Sequence, residues 1–394
     1  MQDWNYVSFD DKMLLPTRII GNFALNYLVS HSPLESFVQQ TLVVLVCRLT
    51  KLGWFDSVEK GPEWPFRDLM DSANKCIQSG QLSGVLLGVQ LMSNLVDEIS
   101  QTSDSDHTRA VFFLRKMSMS FRDTLLFPIF QLGLNLLQET DQNLKTFNAS
   151  DPSQILTASF LCVQWQTAIV QHSLRLALSC LSYDFLGTSV GSAPGACDDM
   201  ISATGDDLMT VQLPTAWRPV FLECSTVQLF FRLFAGLPSQ LRPLTISCLV
   251  QMASIRRSLF SNAERQSFLT SLMTGALGVL RDHADLLREP LTYHEFCRFL
   301  SRIKCNFQLS ELMQVDGYAD FLRLVAEFTV HSLRNSSNVN SLHYLLVLWQ
   351  RLVASIPYVR SADPYLVDTY APQVACAFVQ YRLDEVPTYA EQAF

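Results

Sequence analysis

The chain has 394 residues, 48% of them hydrophobic and only 17% charged, with a formal net charge of −8. A large buried core is easily built from that composition, while the acidic balance argues against a nucleic-acid surface and favours basic protein partners. No apolar run approaches the ~18 residues of a membrane span: Gly84–Met92 is the greasiest stretch and contains Gln90, so no membrane insertion is expected.

From the N-terminus, Met1–Leu14 carries Asp3, Asp10 and Asp11 without a basic region, which argues against a secretory signal. Apolar periodicity then predicts helices at about 17–30, 34–52, 64–79, 82–100, 108–118, 121–139 and 153–183. After a long Gly/Ser/Ala/Asp insertion at 187–209, helices are predicted at 225–236, 239–257, 261–282, 291–304, 317–333, 339–356 and 363–383. No segment reads clearly as a strand.

The pattern is sharpest in Asn340–Pro357, where apolar residues at 342, 345, 346, 349, 352, 353 and 356 mark one face of a helix. Asn340 or Ser341 is the expected N-cap, and Pro357 closes the segment. In Ser239–Arg257, Leu241, Leu244, Cys248, Met252 and Ile255 line one face, with Pro243 early enough to be tolerated. Ser261–Arg281 follows after a short polar turn, which predicts an antiparallel hairpin.

Helix starts recur. Leu34, Leu82, Ser239, Leu291 and Val339 each stand near the start of an apolar-periodic stretch, at intervals of 48 (34 to 82), 52 (239 to 291) and 48 (291 to 339). A period of that size with two helices in it marks stacked helix-pair solenoids of the HEAT and armadillo type. The expected fold is therefore all-α, a right-handed superhelical HEAT-repeat array of antiparallel helix pairs. Its expected divisions are a divergent segment at 1–14, repeats at 15–186, a mobile acidic loop at 187–213, repeats at 214–384 and a tail at 385–394.

The residues offer little chemistry. Ten cysteines are scattered without a CxxC pair, most of them inside apolar helices, and read as reduced core thiols of a cytosolic or nuclear protein. His294 and Cys297 lie three apart on one helix face, which permits a Cys/His pair, but the segment lacks HExxH spacing. A helix burying Phe296, Cys297 and Leu300 explains it better. Asp198, Asp199, Asp206 and Asp207 lack EF-hand spacing and read as a solvated acidic loop. There is no Gly-rich phosphate cradle and no GxSxG elbow. No enzymatic activity, metal or cofactor is expected.

Arg48-Leu49-Thr50-Lys51-Leu52-Gly53-Trp54-Phe55-Asp56 is more unusual. Two cations close a helix, Gly53 is the expected left-handed cap, and Trp54 and Phe55 pack the turn. Arg48 and Lys51 are also the candidate partner-binding residues, on an exposed ridge that would meet an acidic surface. Trp54, Phe55, Trp217, Phe260 and Trp349 are the predicted packing anchors between repeats. If Trp349 is buried, as its helical phase implies, its truncation to alanine costs ~3–5 kcal/mol.

Several words of this sequence resemble one protein family. They are RLTKLGWFD (48–56), SFRDTLLF (120–127), YDFLGTS (183–189) and DDLMTVQLPTAWRPVFLE (206–223), followed by TISCLVQMASIRRSLFSNAER (245–265), YHEFCRFLSRIK (293–304) and HYLLVLWQRLVASIPYV (343–359). In this order they are similar to the exportin-7 group, also called Ran-binding proteins 16 and 17, of the importin-β (karyopherin) superfamily. The similarity runs from about Leu15 to Asp384, so the chain resembles an N- and C-terminally truncated part of such a receptor. For an isolated part with exposed end repeats, weak solubility is expected. The resemblance implies a HEAT-repeat receptor that binds Ran in its GTP form together with protein cargo, and makes weak contacts with Phe-Gly nucleoporins. It further implies shuttling between nucleus and cytoplasm through the nuclear pore, to export protein. The alternative is a cytosolic helical-repeat scaffold that has lost Ran binding with its N-terminal repeats.

Overall fold

Apolar periodicity becomes helix in most of the residues that the structure, a computed structural model, describes: 8–14, 24, 27–28, 35–57, 64–100, 111–148, 160–187, 210–281, 289–335, 339–359 and 366–392. The principal helices are α1 (Ser36–Leu52), α2 (Leu69–Gln78), α3 (Leu82–Ser100), α4 (Val111–Phe121), α5 (Phe127–Asn148) and α6 (Phe160–Leu181). They continue as α7 (Ser225–Gly236), α8 (Arg242–Ala253), α9 (Asn262–Arg281), α10 (Pro290–Asn306), α11 (Tyr318–Asn335), α12 (Val339–Ser355) and α13 (Val367–Gln392). Among the described residues there is no strand, and Val211 and Ile255 form an isolated bridge.

The chain divides into two compact units, Met1–Ala196 and Cys197–Phe394. In the first, α3 packs between α1 and α6, α2 lies on α3, and α5 lies on α6. In the second, α8, α10 and α12 form one row, while α7, α9, α11 and α13 form the other. Rows of this kind follow from the sequence pattern. Each helix has one apolar stripe, and stacking helix pairs is how such stripes are buried when no pair can bury them alone. α3 is long and apolar enough to cross a membrane by length and composition. Its apolar surface is used within the fold: Leu87, Val89, Leu91, Met92, Leu95 and Val96 are all buried.

Four local expectations are corrected. The helices predicted at 108–118 and 121–139 are joined, because α4 runs through a π-helical turn at Arg122–Leu126 directly into α5. Pro128 lacks the N–H that a regular turn would need and its ring would crowd the preceding turn, and a wider turn just before it relieves both. Gly53 is not a left-handed cap. Its φ is −92°, and its N–H donates to the Leu49 carbonyl. Glycine is needed there for another reason, since a Cβ would lie 2.5 Å from the ring of Phe66. Asn340 and Ser341 do not cap α12, which already begins at Val339. Ser341 is instead buried against His294. The fourth concerns Lys51 and is taken up below. The predicted loop at 187–209 and its four aspartates lie outside the described residues.

Candidate partner-binding surface

α1, α3 and α6 bring a chain of polar side chains together. The Gln39 amide donates to Gln90 Oε1 at 2.6 Å, and Gln90 Nε2 lies 3.3 Å from His172 Nε2. Burial and the nearby Arg175 push the His172 pKa down, so its neutral ring accepts from the Gln90 amide. Further along the same helices, Gln40 donates to Asn94 and Ser179 donates to Asp97. Burial raises the Asp97 pKa, against the opposing pull of Ser179 and Arg175.

Both predicted partner-binding cations lie at the end of this face. Arg48 is partly exposed, at 32% of its side chain, and its Nε is 3.6 Å from Glu98 Oε1. Lys51 is not on an exposed ridge. Only 3% of its side chain is accessible, and its ammonium donates to the Glu98 carbonyl at 2.7 Å and sits 3.6 Å from the Glu98 carboxylate. The sequence placed Lys51 correctly on the last turn, but which side of that turn meets α3 is a matter of packing. Glu98 Oε1 is itself buried without a hydrogen bond, since both cations stand beyond hydrogen-bonding distance. The surface thus offers one partly exposed guanidinium, that of Arg48, above a largely buried carboxylate.

Four of the five predicted anchors, Trp54, Trp217, Phe260 and Trp349, are buried. Trp54 and Trp217 are 0% and 1% exposed, and Trp349 is 4% exposed with its indole N–H donating to Thr329 at 3.0 Å. Phe260 stacks on Phe268 with centroids 5.0 Å apart. Phe55 is only half-buried: it meets Phe113 edge-on, and the Lys116 ammonium lies 5.2 Å from its ring. Arg67, unremarked in the sequence, lies 4.7 Å over Trp54 and 4.3 Å over Trp64 while donating to the Trp54 carbonyl. Such cation–π contacts gain strength from partial burial.

Three of the distinctive words converge around Trp54. Its ring packs edge-on to Phe121 at 5.6 Å and its N–H donates to Ser120. Phe121 in turn meets Tyr183, whose hydroxyl donates to the Ser118 carbonyl, and Arg122 donates to the Phe185 carbonyl. RLTKLGWFD, SFRDTLLF and YDFLGTS therefore form one joint. In the second unit, Arg218 donates to Glu264 with both contacts under 3 Å, and Arg265 donates to Glu311 at 2.8 Å. These pairs repeat at one interval, 47 from 218 to 265 and 47 from 264 to 311. Each glutamate also accepts an N–H at its helix start, from Ser261 and Gln308 respectively, so one carboxylate caps a helix and ties it to the preceding repeat. Nothing in the sequence singled out this joint. The Ser-x-x-Glu and Gln-x-x-Glu spacings were visible, but their arginine partners 46 residues away were not.

Cys297 is fully buried, and burial drives its pKa far up, so the thiol is held protonated. His294 is turned to Ser341 and Tyr344. The pair is structural, and the helix buries Phe296, Cys297 and Leu300 together. The eight cysteines whose side chains the structure describes are free thiols.

No family-level sequence model matches the chain. Exportin-7-A of Xenopus laevis is 43% identical over 368 residues, covering 93% of this chain. Ran-binding protein 16 of Drosophila melanogaster is 43% identical over 369 residues, and Ran-binding protein 17 of Homo sapiens 42% identical over 368. The chain spans 31% of the length of each of these relatives. Identity sustained across nearly the whole chain, with its most distinctive words placed at the joints of packed helix pairs, means that the chain belongs to the exportin-7 and Ran-binding protein 16 and 17 group of the karyopherins.

Proposed function

We propose that this chain is part of a non-enzymatic nuclear transport receptor that binds Ran in its GTP form together with protein cargo and exports that cargo through the nuclear pore. The observation that supports the reading is the 42–43% identity to Ran-binding proteins and exportin-7 over 93% of the chain. A paired-helix array with few polar constellations suits recognition across a broad surface. Ran and cargo each favour one arrangement of the array, so each raises the affinity of the other by the same factor. Arg48 is the proposed partner contact in the first unit, with Lys51 as the residue that fixes the Glu98 carboxylate beneath it. Weak contacts with Phe-Gly nucleoporins and shuttling between nucleus and cytoplasm belong to the same reading.

The test is a pull-down with Ran loaded with a non-hydrolysable GTP analogue or with GDP. Preferential capture of the GTP form, weakened by Arg48→Glu, is expected. Equal capture of both forms, or none, rejects Ran-dependent transport and leaves a protein-interaction scaffold.

A further inference from the structure

Gln39, Gln90 and His172 stand in series on α1, α3 and α6, joined by two hydrogen bonds. A carboxamide has a donor end and an acceptor end, so the direction of such a series is set at its terminus. With the His172 ring neutral, its Nε2 accepts from the Gln90 amide and Gln90 Oε1 accepts from Gln39. Gln39 Oε1 is then the outermost group, with no partner among the described residues. A proton on Nε2 reverses the terminus. The imidazolium presents an N–H to the Gln90 amide, and two donors face each other across 3.3 Å. Turning both carboxamides end for end restores the bonds: the ring donates to Gln90 Oε1, and Gln90 Nε2 donates to Gln39 Oε1. The number of hydrogen bonds is conserved, and the Gln39 amide now stands where its carbonyl stood.

The charges on the surrounding helices set where the change falls. Arg175, exposed and about one turn further along α6, is the charged group whose field reaches the ring, and together with burial it disfavours the proton. On α3 the first carboxylate is Asp97, about two turns beyond Gln90 and engaged by Ser179 and Arg175. α1 carries no charged residue before Arg48, more than about two turns past Gln39. On α5, packed against α6, the charges begin at Glu139, beyond Gly133, whose Cα faces Ser173 and Leu176. Among the described residues no carboxylate pairs with the ring, so it changes state below its usual 6.5. We propose that Gln39, Gln90 and His172 form a proton-responsive relay across three helices, in which a proton taken up at His172 converts the outward group of Gln39 from an acceptor to a donor. A partner's N–H is then met at this point only above the change, and a partner's carbonyl only below it. The relay lies within the first unit and stands whether or not the transport reading does.

The experiment is an NMR pH titration of the intact, deuterated chain with labelled histidine rings and glutamine side-chain amides, with circular dichroism checking the fold at each pH. The His172 ring should titrate, and the Gln90 and Gln39 amide resonances should move with the same midpoint. Gln40, which donates to Asn94 on the same two helices, is the internal control and should stay still. In Gln90→Met, which keeps the stem and removes the amide, Gln39 should no longer follow His172. Gln90→Glu serves as the second variant if the first does not fold. Its carboxylate accepts from both neighbours in either state, so the His172 midpoint should rise by about 1 unit or more while Gln39 stays still. A Gln39 resonance that is flat while His172 titrates overturns the proposal. So does a Gln39 that follows His172 in either variant, a Gln40 that moves equally, or a ring that stays neutral until acid unfolds the chain.

Discussion

Trp349 tests the packing argument most directly. Truncating a buried Trp to alanine typically costs about 3–5 kcal/mol from lost transfer energy and the cavity left behind. Here the ring is 4% exposed, and its N–H donates to Thr329 Oγ1 at 3.0 Å. Thr329 is fully buried and its own proton is committed to the Val325 carbonyl at 2.7 Å. Truncation therefore also strips the threonine oxygen of its donor, adding about 1 kcal/mol, and we expect the upper half of the range. Trp349→Phe with Thr329→Val closes a double-mutant cycle, whose coupling should be about 0.5–1.5 kcal/mol. Urea unfolding followed by far-UV circular dichroism gives the losses, and hydrogen exchange at the α11 and α12 amides locates them. A loss below about 1 kcal/mol for Trp349→Ala would refute the burial, and zero coupling would refute the hydrogen bond.

Gly53→Ala drives a Cβ into the buried Phe66 ring and should cost about 1–3 kcal/mol. Gly278→Ala meets nothing within 4 Å on α9 and should add about 0.5–1 kcal/mol in the same denaturation assay. Glu311→Ala leaves Arg265, 3% exposed, without its carboxylate and should destabilise by about 3–5 kcal/mol. Against the cost of burial, Arg265 and the Gln308 N–H hold the Glu311 pKa below its usual 4.5. Its contribution is thus present above that value and lost as pH falls through the depressed pKa, so acid titration of Glu311→Gln should show a smaller loss than the parent. Burial, and then Arg351, hold the Lys304 pKa below its usual 10.5. At neutral pH the buried charge is a cost, and the folded state sheds the proton first as pH rises. Lys304→Met should accordingly stabilise near pH 7 and gain less with rising pH, and a gain independent of pH would contradict this.

What the sequence determined by itself was helicity, repeat period and family. Each rests on interactions within one helix or on words that survive as strings. The stripe of Asn340–Pro357 predicts α12 to within a residue at its C-terminal end, because a 3.6-residue pattern has one helical solution. Tertiary structure decided everything that depends on a neighbour. Lys51 and Arg48 share one helix end, yet only Lys51 turns under α3, and no local rule distinguishes them. The paired arginines and glutamates of successive repeats exist only once helices about 47 residues apart in sequence lie side by side. A period tells that such helices will stack. Which side chains then face one another is settled by the packing of one helix face against the next.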